Sequence, residues 1–169
     1  MKNNHLFIII GIAVFGGIMA TTQVTEWWMV LIGLIISLIP TGNMLFQSIN
    51  LLPKFITFGV ILAGFELAST QIGWPYGKFS YTDLMQPLIW GLPVLMVVIW
   101  PTILLGAKYV ADKVLRRHNL SNLFSNLVLT VLLVVGYDLV MDPGAVSMGL
   151  WVWDISLVEW FGVPPLNYF

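Results

Sequence analysis

The sequence contains no cysteine, which excludes disulfide bonds, thiolate chemistry and zinc or iron–sulfur sites with cysteine ligands. Charge is also scarce, since charged residues make up 9% of the chain, against roughly 25% in an average soluble domain. The net charge of −1 gives no indication of nucleic-acid binding. The two histidines, His5 and His118, lie far apart in sequence, so a histidine-based metal site is not expected.

Hydrophobic residues, in contrast, make up 59% of the 169 residues. Five continuous apolar stretches approach the about 20 residues that a helix needs to cross a bilayer. The stretches are long and do not alternate between polar and apolar residues, which favours helices over strands. The sequence therefore predicts an all-α fold, a single integral membrane domain over residues 1–169 with about five spanning helices. These predicted helices cover residues 6–22, 27–46, 51–69, 84–110 and 120–141.

The two ends of the chain need separate interpretation. The N-terminus resembles a signal peptide, with Lys2 before an apolar run, but further spans follow and we interpret it as an uncleaved first helix. The tail from residue 142 to residue 169 is rich in Trp, Gly and Pro. Its residues 147–161 are too few and too acidic for a span, and they are predicted to form a short interfacial or re-entrant helix.

Basic residues mark one side of the predicted bundle. With the N-terminus in the cytoplasm, six of the seven Lys and Arg residues fall on the cytoplasmic side, and only Lys78 falls outside. The acidic and aromatic residues gather toward the outer half. The sequence therefore predicts a multi-pass protein of the cell membrane, surrounded by lipid and with a cytoplasmic N-terminus. It carries no signal for an oligomeric state.

Three carboxylates are predicted to lie within helices near the outer end. Glu66 has no basic residue evidently near enough to neutralise it, which favours a functional role over an interfacial residue that reaches water. Asp138 and Asp142 are four residues apart, so a helix places both on one face. One carboxyl group of such a pair could stay protonated at neutral pH and act as an acid. The alternative is that Asp142 begins a turn with Pro143 and Gly144.

Aromatic residues are concentrated in two segments. The loop 73–82, GWPYGKFSYT, could close the mouth of a cavity or could form an ordinary interfacial belt. Trp151 and Trp153 could stack on a polyene or stabilise a carbocation, or they could anchor the chain. An Asp-x-x-x-Asp helix also binds magnesium diphosphate in isoprenoid synthases. Those enzymes need a second acidic motif and basic groups, and Lys78 is the only cation predicted on the outer side.

These motifs together resemble the membrane-bound carotenoid hydratase family, over roughly residues 60–169. Members of that family are longer, so this chain is expected to be either C-terminally truncated or a minimal relative. The residues that carry the resemblance are Glu66; Gly73, Pro75, Tyr76, Gly77 and Tyr81; Pro93 and Trp100; Asp138, Asp142 and Pro143; Gly149, Trp151 and Trp153; and Gly162, Pro164 and Asn167.

The resemblance implies a hydro-lyase that adds water to a terminal C=C bond of a carotenoid. It implies no cofactor and no metal, because an acid protonates the alkene and water captures the tertiary carbocation. The implied catalytic residues are Glu66, Asp138 and Asp142, and the implied substrate-binding residues are Trp74, Tyr76, Tyr81, Trp151, Trp153 and Asn167. Two alternatives stay open: a carotenoid or isoprenoid cyclase-type enzyme that quenches the same cation internally, and a non-catalytic membrane subunit that binds a hydrophobic ligand.

Overall fold

The computed structural model describes residues 49–154 and 161–168. Within these residues the chain forms three long helices, α1 (Leu52–Ile72), α2 (Met96–Arg117) and α3 (Leu123–Ser147). It also forms four short strands, β1 (Phe79–Tyr81), β2 (Leu88–Ile89), β3 (Leu92–Pro93) and β4 (Trp151–Trp153). Short 3-10 turns cover Ile49–Leu51, Asp83–Met85 and Pro165–Tyr168. The predicted helices at residues 6–22 and 27–46 lie outside the described residues.

Helix α1 is an unbroken apolar run with Pro53 in its first turn, where a missing N–H group costs no helical hydrogen bond. It ends at Gly73, whose φ of 75° is left-handed and whose N–H group donates to the Ser69 carbonyl at 3.0 Å. Earlier in the helix, a Cβ atom added to Gly59 would lie 2.8 Å from the Val97 carbonyl oxygen. A glycine at this position therefore lets the backbones of α1 and α2 approach closely.

Helix α3 begins at a side-chain cap, since Asn122 Oδ1 accepts a hydrogen bond from the Ser125 N–H group at 2.8 Å. The helix then continues through Pro143 to Ser147, although proline contributes no backbone donor. Asp142 therefore lies inside the helix and does not begin a turn. Its position one turn after Asp138 places both carboxyl groups on the same buried face.

Strands β1 and β4 form an antiparallel pair that connects the segment after α1 to the segment after α3. Tyr81 lies opposite Trp151 in this pair. The pairing extends beyond the strands, because the Asp154 N–H group donates to the Lys78 carbonyl at 2.8 Å. Strands β2 and β3 form a second antiparallel pair in the connection to α2. The aromatic loop and the tryptophan-rich tail, which are distant in sequence, are thereby held side by side.

The buried core lies around the β1–β4 pair. Its members are mostly apolar residues of the strands, the loops and the adjoining helix ends: Phe79, Met85, Leu92, Met96, Ala145, Leu150, Trp151, Trp153 and Val163. The last of these follows Gly162, which has a φ of 83° and leaves no room for a Cβ atom beside Val146 of α3. The C-terminal turn can therefore lie directly on α3.

The prediction of an all-α bundle with about five spanning helices is wrong for the described part of the chain. Three long helices occur there together with two two-stranded sheets. The predicted span at residues 84–110 contains the β2–β3 pair, and a helix begins only at Met96. Pro87 lacks a backbone donor and Gly91 has a φ of 84°, so this stretch favours a turn over a helix. The predicted short helix at residues 147–161 instead contains strand β4, which pairs with a distant segment.

Within residues 49–154 and 161–168, α1 and α3 are the helices long and apolar enough to cross a membrane, with 21 and 25 residues. In the most apolar 18-residue stretch of α3, only 6% is buried inside the protein. The corresponding share for α1 is 22%. The core helix of a soluble protein would be mostly buried. The exposed apolar surface of these helices therefore favours apolar surroundings.

Candidate active site

The three predicted carboxylates are all buried, although two helices contribute them. Glu66 lies on α1 and is 4% exposed, whereas Asp138 and Asp142 lie on α3 and are 8% and 3% exposed. Their charges act on one another across the two helices, since Asp138 acts on Glu66 and Glu66 acts on Asp142. The fold thus brings three acidic groups from distant parts of the sequence into one cluster.

Asn167 connects the two aspartates. Its Nδ2 atom donates to Oδ2 of Asp142 at 2.6 Å and to Oδ2 of Asp138 at 3.0 Å. An amide nitrogen has two protons and can therefore serve both carboxyl groups at once. The 3-10 turn Pro165–Tyr168 supplies this side chain and packs on α3.

Glu66 has a different partner. The Tyr81 hydroxyl of strand β1 donates to Glu66 Oε2 at 2.6 Å. Burial raises the pKa of Tyr81 well above its usual value, and the Glu66 charge raises it further. Tyr81 therefore keeps its proton and acts as a neutral hydrogen-bond donor. The buried indole Nε1 of Trp100 on α2 is a second polar neighbour of Glu66, although the two groups do not reach standard hydrogen-bond geometry.

Two further tyrosine hydroxyls lie within the field of the carboxylates. Burial raises the pKa of Tyr76 to about 12, and the charges of Glu66 and Asp138 add to that effect. Burial likewise raises the pKa of Tyr168 to about 12, together with the charges of Asp142 and Asp138. Both hydroxyls stay protonated at neutral pH and can donate.

The tryptophans of strand β4 form an aromatic wall beside this cluster. The ring of Trp151 meets Tyr81 edge to face with centroids 5.7 Å apart. The ring of Trp153 lies 4.7 Å from Phe79, which in turn contacts Tyr81 at 5.2 Å. A series of ring contacts therefore connects Tyr81, which donates to Glu66, with the buried core.

Trp74 is the predicted site residue that the structure places apart from the others. Its side chain is 60% exposed, and its ring contact is with Phe65 at 6.0 Å. The sequence reasoning, in turn, left Trp100 and Tyr168 out of the predicted site. Trp100 was already part of the family resemblance, and Tyr168 is the immediate neighbour of Asn167. Both clues were present in the sequence, but no local pattern indicated that either side chain would lie near the carboxylates.

Basic side chains do not balance the carboxylate cluster in the described part of the chain. The ion pair found there joins Lys108 to Asp112 at 2.7 Å on the exposed side of α2. Residues 49–154 and 161–168 also contain no group of three His, Asp or Glu side chains arranged to hold a metal ion. The partners of the three carboxylates are thus neutral amide and hydroxyl donors. Such donors form hydrogen bonds to the carboxyl groups without placing a positive charge beside them.

Residues 4–169 match the sequence profile of a family described as carotenoid biosynthesis protein. The chain belongs to this family. Its membership in the carotenoid biosynthesis family confirms the resemblance that the motifs indicated, and it gives the chain a role in carotenoid biosynthesis. No solved structure matches the chain.

A curated relative of this family member is the bisanhydrobacterioruberin hydratase of Haloarcula japonica. The two sequences are 35% identical over 106 residues. The alignment covers 62% of this chain and 35% of the hydratase. The chain thus matches about a third of the length of that relative.

Proposed function

We propose that this chain hydrates a terminal C=C bond of a carotenoid, without a cofactor, by acid protonation and capture of a tertiary carbocation by water. The similarity to a protein named as a hydratase supports the reaction class. The observation that carries the proposal is the amide of Asn167 shared between Asp138 and Asp142. Two close carboxyl groups that share one neutral donor favour a state in which one of them holds a proton.

The reaction needs only proton transfers and the addition of water. A carboxyl O–H group protonates the CH carbon of a trisubstituted alkene, and the π electrons form the new C–H bond. The adjacent tertiary carbon becomes a cation. The oxygen of water bonds to that carbon, and a carboxylate takes the proton that water releases. The acid is thereby regenerated, and no electrons are exchanged with another molecule.

The aromatic wall fits the intermediate of this reaction. Tyr81 donates to Glu66 and its ring contacts Trp151, and aromatic faces attract a cation by about 0.5–2 kcal/mol. A polyene can also stack along the same rings. These side chains would hold the hydrocarbon end of the substrate near the acids, while the exposed apolar surface of α1 and α3 would give it access from lipid.

We propose that the protein is a multi-pass protein of the cell membrane, with α1 and α3 as spanning helices and with α2 returning the chain across the membrane between them. The basic residues at the end of α2, Arg116 and Arg117, would lie on the cytoplasmic side. The candidate site would then lie toward the outer side. The predicted cytoplasmic N-terminus belongs to residues outside the described ranges.

Pigment analysis in a carotenoid-producing cell tests the reaction. The chain is expressed in cells that accumulate lycopene, and the extracted pigments are separated and identified by mass spectrometry. A product heavier by one water is expected. Glu66→Gln and Asp138→Asn should each lower its amount by about 100-fold or more, because removal of a general acid or base costs about 10²–10⁴ in rate.

Asp154→Asn is the matched control, because it removes an exposed carboxylate outside the cluster and should leave the product unchanged. The amount of each variant in the membrane fraction is measured alongside. An isomer of unchanged mass would favour a cyclase, and unchanged pigment with the protein present would favour a binding subunit; either outcome contradicts hydration. Full conversion by both acid variants would show that the acids are assigned wrongly.

A further inference from the structure

Two buried oxygen atoms near the aspartate pair have no hydrogen-bond partner within the described residues. One is Oδ1 of Asp138, whose Oδ2 is held by Asn167, and the other is the hydroxyl of Tyr168. Asp138 itself is more than nine-tenths buried. Leaving a buried polar group unpaired costs about 1–3 kcal/mol. Both atoms belong to the region where the C-terminal turn meets α3, and a small ligand that can form hydrogen bonds would satisfy them.

The fold explains why these two atoms belong to the same place. Tyr168 follows Asn167 in the 3-10 turn Pro165–Tyr168, so the contact of Asn167 with both aspartates also fixes its neighbour beside α3. The Tyr168 ring packs against the core cluster. The charges of Asp142 and Asp138 both act on its hydroxyl. One oxygen accepts and the other can donate, which is the pairing that a water molecule needs.

Two indole N–H groups of this region differ from the Asp138 oxygen in the hydrogen bonds that they can form. Trp100 and Trp153 present buried indole N–H groups, which can donate a hydrogen bond but cannot accept a proton. Water that bonds to a carbocation must give up a proton to an acceptor before the alcohol is complete. Among these unpartnered atoms near the site, the Asp138 oxygen is the one that combines burial with basicity.

We propose that Asp138 Oδ1 and the Tyr168 hydroxyl together bind the water molecule that captures the carbocation. This inference rests on the proposed hydration. The water donates one proton toward Asp138 Oδ1 and accepts a hydrogen bond from Tyr168, which leaves a lone pair directed at the cation. As the C–O bond forms, the O–H bond to Asp138 breaks and its proton moves to that carboxylate. Tyr168 holds the water and does not change its own protonation.

A reaction in D₂O separates binding of water from protonation of the substrate. Membranes that contain the chain are incubated with lycopene in D₂O, and both the hydrated product and the recovered lycopene are analysed by mass. In Tyr168→Phe the alkene is still protonated, but the cation is captured slowly and returns a proton. Hydration should fall about 10-fold or more, while the ratio of deuterium in recovered lycopene to hydrated product should rise.

Asp154→Asn, which changes an exposed side chain outside the cluster, is the control and should leave hydration and deuterium exchange as in the wild type. Hydration at the wild-type rate in Tyr168→Phe would overturn the water site. A parallel loss of hydration and exchange, with normal amounts of protein in the membrane, would also overturn it, because that result indicates a structural role. If the wild-type chain itself neither hydrates nor exchanges, the proposed function fails and this inference fails with it.

Discussion

The two halves of α3 lie in different surroundings although both are apolar in sequence. The first half exposes Leu123, Phe124, Leu127 and Leu132, each of which is 61% or more accessible. The second half buries Asp138, Asp142 and Ala145. The difference comes from what covers the helix, since only the second half lies under the C-terminal turn. Hydropathy along a helix thus does not reveal which of its faces can hold a charge.

The largest effect is expected when a new carboxylate is introduced into the exposed first half of α3. Val131→Asp places an acid where the side chain is 50% exposed, on the half of α3 that precedes the two aspartates held by Asn167. If α3 faces lipid there, insertion should become less favourable by about 3 kcal/mol. A membrane-insertion assay with Val131→Leu as the control measures the change. Equal insertion of the acidic and the control variant would contradict a lipid-facing surface.

The next largest effect should follow from removing the amide that connects the aspartates. Asn167→Ala leaves two buried carboxyl groups without their shared donor, which should lower the free energy of unfolding by about 2 kcal/mol. Thermal denaturation in detergent measures the loss. In an Asp142→Leu background the cost of Asn167→Ala should be smaller, since one acceptor is already gone. An unchanged cost in that background would show that the amide acts elsewhere.

A smaller effect is expected at the partner of Glu66. Tyr81→Phe keeps the ring contact with Trp151 but removes the hydroxyl that donates to Glu66. The protein should lose about 1 kcal/mol of stability, and its hydratase rate should fall because Glu66 is less well oriented. Pigment yields and denaturation midpoints are compared with those of Asp154→Asn, which changes an exposed side chain outside the cluster. The assignment fails if Tyr81→Phe and this control behave alike.

The smallest effect should occur in the exposed half of α3. Leu127 is 61% exposed, so Leu127→Ala removes few contacts within the protein. We expect the free energy of unfolding to fall by less than about 1 kcal/mol, because leucine and alanine differ by no more than that in lipid. Denaturation in detergent measures it. A loss of about 2–5 kcal/mol, as for truncation of a buried leucine, would mean that another part of the protein covers this surface.

The parts of the molecule that the sequence predicted well are those that depend on local pattern. The predicted helices at residues 51–69 and 120–141 lie close to α1 and α3, because long apolar runs without breaks determine both. The acidic residues on these helices were recognised for the same reason. Their assignment as catalytic groups stays a prediction, although their burial and their neutral donors agree with it.

The parts that the sequence did not predict depend on contacts between distant segments. Strand β4 looked like part of a short helix, because its partner β1 lies on the other side of α2 and α3 in the chain. The contact of Asn167 with two aspartates on α3 likewise has no local pattern. Trp74 was grouped with the other aromatic residues of its loop, yet it faces outward. Composition identified the aromatic residues of the site, but it did not show which of them would be buried and which exposed.

The β1–β4 pair also has a consequence for the order of synthesis. Glu66 and Tyr81 leave the ribosome well before Trp151, so the first acid enters its helix before the strand that covers its tyrosine exists. An unpaired carboxylate in an apolar helix is costly. The nascent chain should therefore be least stable in the interval between α1 and β4. The turn that carries Asn167 follows β4 in the chain, so the acidic centre would be completed only after the strand pair can form.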